Sequence, residues 1–392
     1  MNRWKTVQLG DIGVFQTGGT PSRNRSDFFQ GIHPWVTTPA LGAIYIDKSN
    51  ANAFLTDEAI KNSATKIIPK KSLLIGIRVG VGKASINTVP MCTNQDIVSI
   101  SNIDTSRISL EYLHKYIETK KNYFDSQKRG ATIQGIRSEL LKRLAIPLPP
   151  LLIQQQIAEV LNCTSTQIEK QNTQIEKLDT LLKSRFVEMF GDPVTNPIGW
   201  LIIPLEKVTK KIGSGATPKG GRDSYKENGI ALIRSMNIHN NKFVYDQLAY
   251  IDDVQAKQLN NIIIEPNDVL LNITGASVAR CCVVPRDVLP ARVNQHVSIL
   301  RVNEQICSQY LCNLLTNNSY QKKLLRIGRG GGATREAITK KQIEELTMPM
   351  PPLALQNEFA AFVHHVGKLE FVAQKAVKLM RSCVEFCYET II

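Results

Sequence analysis

The chain has 392 residues, 43% of them hydrophobic, with 48 Lys+Arg against 34 Asp+Glu and a formal net charge of +14. That length and apolar content suffice for two ordinary cores. No run approaches the roughly 18 apolar residues of a membrane span, and Met1-Asn2-Arg3-Trp4-Lys5 has no apolar stretch behind it, so neither a membrane segment nor a signal peptide is expected.

Taken in order, the elements occur twice. Trp4 and Leu9 return as Trp200 and Leu205, Thr20-Pro21 as Thr217-Pro218, and Asn94-Gln95 as Asn294-Gln295. Gly130-Ala131-Thr132 returns as Gly332-Ala333-Thr334, and Pro147-Leu148-Pro149-Pro150-Leu151 as Pro349-Met350-Pro351-Pro352-Leu353, followed by Gln154 and Gln356. The interval is too long for a solenoid, so each unit is a whole domain plus a connector. Short β-branched runs at Ser72–Ile77 and Ile97–Ile100 predict strands, as do their counterparts Asp268–Ile273 and Val297–Val302. Leu110–Phe124 and Cys307–Leu325 carry helical spacing. The expected fold class is α+β: globular modules at 1–150 and 191–350, each followed by a long helix, at 151–190 and 351–392.

The helices follow from punctuation. Pro147, Pro149 and Pro150 end the last strand, and Pro150 and Pro352 stand where a helix begins. No Gly or Pro occurs from Leu151 to Phe190, which predicts a rod of about 60 Å. Leu161, Ile168, Ile175, Leu182 and Met189 form one heptad column; Ile157, Thr164, Gln171, Leu178 and Arg185 form its neighbour. The second helix repeats the frame with Val363, Glu370, Val377, Val384 and Ile391 beside Phe359, Val366, Ala373, Met380 and Cys387. Stripes this narrow suit a helix pair, which the internal repeat makes antiparallel with the modules at opposite ends. Gly191-Asp192-Pro193 stops the first helix.

No catalytic or cofactor-binding pattern survives inspection. Gly76-Ile77-Arg78-Val79-Gly80-Val81-Gly82-Lys83-Ala84 resembles a phosphate loop but has Ile77 where Gly is needed and Ala84 where Ser or Thr is needed. Arg329-Gly330-Gly331-Gly332 lacks the strand and acidic residue of a dinucleotide site. The adjacent His364 and His365 diverge on a helix and form no i, i+4 metal pair. Glu118-Thr119-Lys120 has no counterpart in the second half, and Asn196-Pro197-Ile198-Gly199 is a turn rather than an amino-methyltransferase tetrapeptide. The eight cysteines form no Cys-x-x-Cys pair, which fits free thiols in a reducing cytoplasm.

What recurs instead is cations at glycine-rich turns. Residues 1–150 carry 20 Lys+Arg against 11 Asp+Glu, an excess of 9, and residues 200–350 carry 20 against 13, an excess of 7. Arg23 and Arg25 follow the first Gly-Thr-Pro turn; Lys219, Arg222 and Lys226 follow its counterpart. Lys128 and Arg129 precede one Gly-Ala-Thr, and Arg326 and Arg329 the other; Arg78 and Lys83 lie in the failed phosphate loop. Together they form a candidate phosphate-contacting set. Thr37 and Thr38, aligned near Arg234, Ser235 and Asn237, are candidates for base contact. Solvated loop cations, or a scaffold for an acidic protein partner, are the alternatives.

Leu9…Thr17-Gly18-Gly19-Thr20-Pro21-Ser22, Asn94-Gln95, and Ile146-Pro147-Leu148-Pro149-Pro150…Gln154-Gln155-Gln156-Ile157-Ala158 occur in an order that resembles the specificity subunits of type I DNA restriction–modification systems. Phe190-Gly191-Asp192-Pro193…Gly199-Trp200 introduces the second copy. The resemblance covers essentially the whole chain. It implies a non-catalytic reader of double-stranded DNA in the cytoplasm, in which two recognition domains each read half of a split asymmetric site. The helices would set the unread spacer and dock two methyltransferase subunits, which motor–endonuclease subunits join. S-adenosylmethionine, ATP and Mg would belong to those partners, leaving this chain with no cofactor and no metal. Gln155, Leu181 and Phe186, off the predicted seam, are the expected docking residues. Met348, Met350, Asn357 and Glu358 depart from the first copy's residues, so the two helices need not hold partners equally.

Overall fold

The computed structural model of the chain describes residues 4–129, 134–218, 220–330 and 336–390, with main chain alone at 222, 389 and 390. It divides into two compact units, Met1–Gln171 with Ala376–Ile392, and Asn172–Lys375.

The first unit carries a five-stranded sheet in the order Val14–Thr17, Ile97–Ser101, Leu73–Gly76, Ala84–Asn87, Tyr45–Ile46. Its pairs are antiparallel except the last. The central strands are buried on both faces, which suits their unbroken apolar runs. A three-stranded sheet (Ala53–Leu55, His33–Val36, Cys92–Thr93) and the pair Thr6–Gln8 with Ala145–Pro147 complete it. The second unit repeats the plan. Its four-stranded sheet runs Thr209–Ser214, Val297–Val302, Val269–Asn272, Cys281–Val283. Beside it lie Ala249–Ile251, Ile230–Ile233 and Ala291–Val293, and Ile202–Pro204 pairs with Thr347–Pro349. The fold class is α+β, as the sequence implies.

Each expected helix after the last core strand is broken in two: Leu110–Thr119 with Lys121–Gln127, and Ser308–Thr316 with Asn318–Arg329. In the second unit the break is built in, because the Asn317 side chain accepts from the Ser319 amide at 3.0 Å and starts a new helix.

The long helices run Leu151–Phe190 and Leu353–Thr390. Each unit contains the N-terminal part of one and the C-terminal part of the other, as an antiparallel pair requires. The heptad columns mark the less exposed faces: Leu161, Leu182, Phe359, Val366, Ala373 and Val377 are buried, and the polar Thr164, Gln171 and Arg185 are half-buried. In the second unit Phe186 meets Phe359 edge to face with ring centroids 5.5 Å apart, and Arg185 reaches Glu358 at 3.2 Å.

One buried amide in each unit ties the start of a long helix to its module. Gln154, fully buried, accepts from the Ser109 amide at 2.9 Å and donates to the carbonyls of Arg107 and Pro149 at 3.0 and 2.8 Å. Gln356, also fully buried, accepts from the Cys307 amide at 2.9 Å and donates to Pro351 at 2.8 Å. Tyrosines close the same junctions: Tyr112 donates to the Pro147 carbonyl at 2.7 Å, Tyr310 to that of Pro349 at 2.8 Å. Proline keeps its carbonyl acceptor while supplying no N–H, and these side chains satisfy the carbonyls of Pro147, Pro149, Pro349 and Pro351.

Candidate nucleic-acid interface

The recurring glycine turns are scaffold. A Cβ on Gly18 would lie 2.2–2.3 Å from Thr93 and Asn94, and one on Gly215 would lie 1.7 Å from the Val293 carbonyl oxygen. Gly18 and Gly19 donate to Ile97 and Thr93 at 3.1 and 2.8 Å, and Gly215 to Asn294 at 3.2 Å. In both units the threonine after the turn donates to the glutamine of the recurring Asn-Gln pair, Thr20 to Gln95 and Thr217 to Gln295. The backbone approach that glycine permits here is to the module's own strand.

Several candidate cations are engaged internally. Arg25 forks onto Asp27 and reaches Glu58 at 3.1 Å. These hydrogen bonds, Asp27 first, hold the guanidinium pKa above its ordinary value. Lys128 meets Asp125 at 2.5 Å, Lys226 meets Asp252 at 3.4 Å, and Arg329 meets Glu336 at 2.6 Å. All are solvent-facing pairs that a phosphate can replace at little cost. Arg23, Lys83 and Arg326 are exposed and have no ion pair among the described residues. Lys219, the Arg222 side chain, Gly130-Ala131-Thr132 and Gly332-Ala333-Thr334 lie outside the described residues.

The base-contact candidates are corrected in part. Asn237 is fully buried: its carbonyl accepts from the Arg234 amide at 3.1 Å, and its amide donates to Val244 and Asp246 at 2.9 and 3.2 Å. Every polar atom of its side chain holds the turn, so it is a turn residue rather than a reader. Thr38 is likewise buried at the start of a short helix. Thr37 donates from its amide and hydroxyl to Asn52 at 2.7 and 2.8 Å. The Arg234 guanidinium donates to the Gln247 carbonyl and lies over the Tyr225 ring at 5.4 Å. Ser235 is half-buried, its carbonyl accepting from Asn272 at 2.9 Å.

Among the docking candidates, Gln155 and Leu181 are exposed, but Phe186 is not. Its ring packs on Phe190, Tyr310 and Phe359 with centroids 5.1–5.8 Å apart, inside the second unit's core. A helix position off the heptad seam still meets its own module, which the wheel alone does not show.

The structure gathers Arg78 and Arg129 with two residues outside the candidate set, Arg137 and Arg143. These four, with Gln127 and Glu139, line an open basin of about 700 Å³ in the first unit. The strand-like bond from the Ile136 amide to the Ile77 carbonyl, at 2.8 Å, joins the two stretches, and a backbone bridge pairs Arg129 with Gly135. The sequence signal for Arg137 and Arg143 is a further pair of cations after Gly130-Ala131-Thr132, matching Lys128 and Arg129 before it.

Among the described residues no group of three or more His, Cys, Asp and Glu is arranged to hold a metal, and no helix is long and apolar enough to cross a membrane. All eight cysteines are free.

Comparison with known proteins follows the same duplication. The family model described as type I restriction modification DNA specificity domain matches twice, at residues 1–179 and 197–380. The type I restriction enzyme MjaIX specificity subunit of Methanocaldococcus jannaschii is 25% identical, over 97% of this chain and 90% of that protein. The EcoR124I/EcoR124II specificity subunit of Escherichia coli is 32% identical over 41% of this chain and 40% of its own. In fold, the chain is similar to the crystal structure of the type I restriction–modification S subunit from M. genitalium, with TM-score 0.63 and 14% identity over 98% of this chain and 95% of that one. Two basic modules on one scaffold, each matched by the family model in order, make this chain a member of the type I restriction–modification DNA specificity family.

Proposed function

We propose that the chain is the DNA-reading specificity subunit of a type I restriction–modification complex, in which each module reads its own half of a bipartite, asymmetric site. The observation that carries this reading is chemical divergence on an unchanged frame. In one unit Thr37 is held by Asn52, where in the other Arg234 is held by Asn237. Arg78 pairs with Asp96 at 3.3 Å in the first unit, while Thr274 bonds His296 at 2.5 Å in the second. Threonine, arginine and histidine offer different donor sets to base edges, so two such faces suit two different short sequences rather than a palindrome. Membership of the DNA specificity family favours this over an acidic-protein scaffold.

In this reading the chain acts in the cytoplasm and is not itself an enzyme. S-adenosylmethionine, ATP and Mg serve two methyltransferase subunits and the motor–endonuclease subunits that join them. The long helices set the unread spacer and carry the methyltransferases. Apolar side chains away from the seam support that docking role. Leu181 is exposed on the first helix, and Leu369, Val372, Leu379 and Phe386 are exposed along the second at intervals of three, seven and seven residues. Such a stripe needs a cover.

Co-purification with the methyltransferase tests the complex. Leu181→Asp, or Leu379→Asp with Phe386→Asp, should abolish it while both modules stay folded by circular dichroism. A complex that forms at normal affinity with all three changes puts the docking surface elsewhere. Purified free of partners, the chain should neither methylate nor cut DNA; robust activity from such a preparation contradicts the reading.

A further inference from the structure

Arg78, Arg137 and Arg143 of the first unit's basin have no cation at the matching positions of the second unit, although the frame around them is the same, while Arg129 has a near counterpart in Arg329, which Glu336 engages at 2.6 Å. The Ile136 amide donates to Ile77 at 2.8 Å, and the Ile338 amide donates to Ile273 at 2.8 Å. Ile77 donates to the Asp96 carbonyl and Ile273 to that of His296, at 2.8 and 3.0 Å. A five-residue helix follows in each, Ser138–Lys142 and Lys340–Glu344. On this register Arg78 corresponds to Thr274, Arg137 to Thr339 and Arg143 to Glu345. The Gly135 amide donates to Arg129 and the Ala337 amide to Gly328, so Arg129 corresponds to Gly328. Glu139 corresponds to Lys341. The five positions thus carry four Arg and one Glu in the first unit, a sum of +3, against one Lys and one Glu in the second, a sum of zero.

Arg137 stands at a costly position. It precedes the short helix and makes no side-chain cap, whereas Thr339 at the same place caps its helix by accepting from the Gln342 amide at 3.3 Å. Helix N-caps favour Ser, Thr, Asp and Asn, and arginine leaves a first-turn amide without that acceptor. A local rule broken where four cations converge is the pattern expected of a binding site. Arg129, Arg137 and Arg143 are exposed and have no ion pair among the described residues, and Arg78 shares only Asp96. Buried Leu141 and Ile136 fix the helix beneath them.

We propose that this basin is a seat for the phosphodiester backbone of duplex DNA that the first module alone possesses, so the two modules contribute unequally to salt-sensitive binding. The proposal rests on the DNA-reading function above.

The test is binding of the full chain to duplex DNA of random sequence across a salt series. Each neutralised phosphate adds about 0.9 to the slope of log affinity against log salt. Arg137→Thr with Arg143→Gln should therefore lower the slope by about 1.8, equivalent to about a twelvefold smaller affinity loss over a fourfold rise in salt. Arg137→Thr imports the second module's own cap, so folding should be preserved or improved. Lys340→Gln with Lys341→Gln, on the matching helix of the second module, should leave the slope unchanged. A steep wild-type slope that the arginine pair does not alter overturns the basin while leaving the DNA function standing. Equal losses from both pairs overturn the asymmetry. No salt-dependent duplex binding by wild type overturns the function and the basin together. Stoichiometric binding of inorganic phosphate by calorimetry, lost in the arginine variant without a change in duplex slope, makes the basin a small-anion pocket and overturns the backbone seat.

Discussion

Gln154→Leu should destabilise the first unit by about 2–4 kcal/mol with almost no change in packed volume. The side chain is fully buried, and leucine fills a similar space, so the cavity contribution is small. What is lost is hydrogen bonding: the Ser109 amide at 2.9 Å and the Pro149 carbonyl at 2.8 Å are left without their partner, both at buried contacts. Each orphaned buried backbone group costs about 1–3 kcal/mol. The third partner, the Arg107 carbonyl, is part-buried and regains water, so it adds little. Urea titration followed by tryptophan fluorescence in a Trp200→Phe background measures the effect, because Trp4 and Trp35 both lie in the first unit. A midpoint shift worth less than about 0.5 kcal/mol, the range of an ordinary surface change, would refute the view that this amide pins the long helix to its module.

Phe186→Ala should cost the second unit about 3–5 kcal/mol through its aromatic core, measured by the same titration with Trp200 retained. Gly18→Ala should destabilise the first unit by at least about 1–3 kcal/mol, since a Cβ there meets not only the Thr93 hydroxyl but also the backbone carbonyl oxygens of Thr93 and Asn94, which cannot swing away. His114 is buried with its pKa lowered, chiefly by desolvation. The folded state therefore resists protonation that the unfolded chain accepts below its ordinary value of 6.5, and stability present above that pH is lost as pH falls. Urea midpoints of the first unit at about pH 7.5 and about pH 5.5 should differ in wild type. The difference should shrink in His114→Gln.

Much of the architecture was legible because its determinants are local. An uninterrupted stretch without Gly or Pro gives Leu151–Phe190 its length, and the heptad columns identify the faces that are least exposed. β-branched runs place the core strands to within a residue or two. Long-range pairing was not legible. Nothing in the spacing of Gln154 shows that it meets Arg107 and Ser109, and nothing local brings Arg137 beside Arg78 across the Ile136–Ile77 contact. Asn237 and Phe186 show the converse error: residue type and wheel position suggested surface roles, but one amide closes its own turn and one ring fills its own module.

Two modules with different reading faces should recognise two different half-sites. Genome-wide mapping of methylated adenines in cells expressing this chain with its methyltransferase tests it directly. The comparison strain carries the second module's 191–350 segment replaced by that of another family member. The expected result is an asymmetric split motif in which the replacement changes one half, leaving the other half intact. A palindromic motif, or a replacement that alters both halves together, would contradict it.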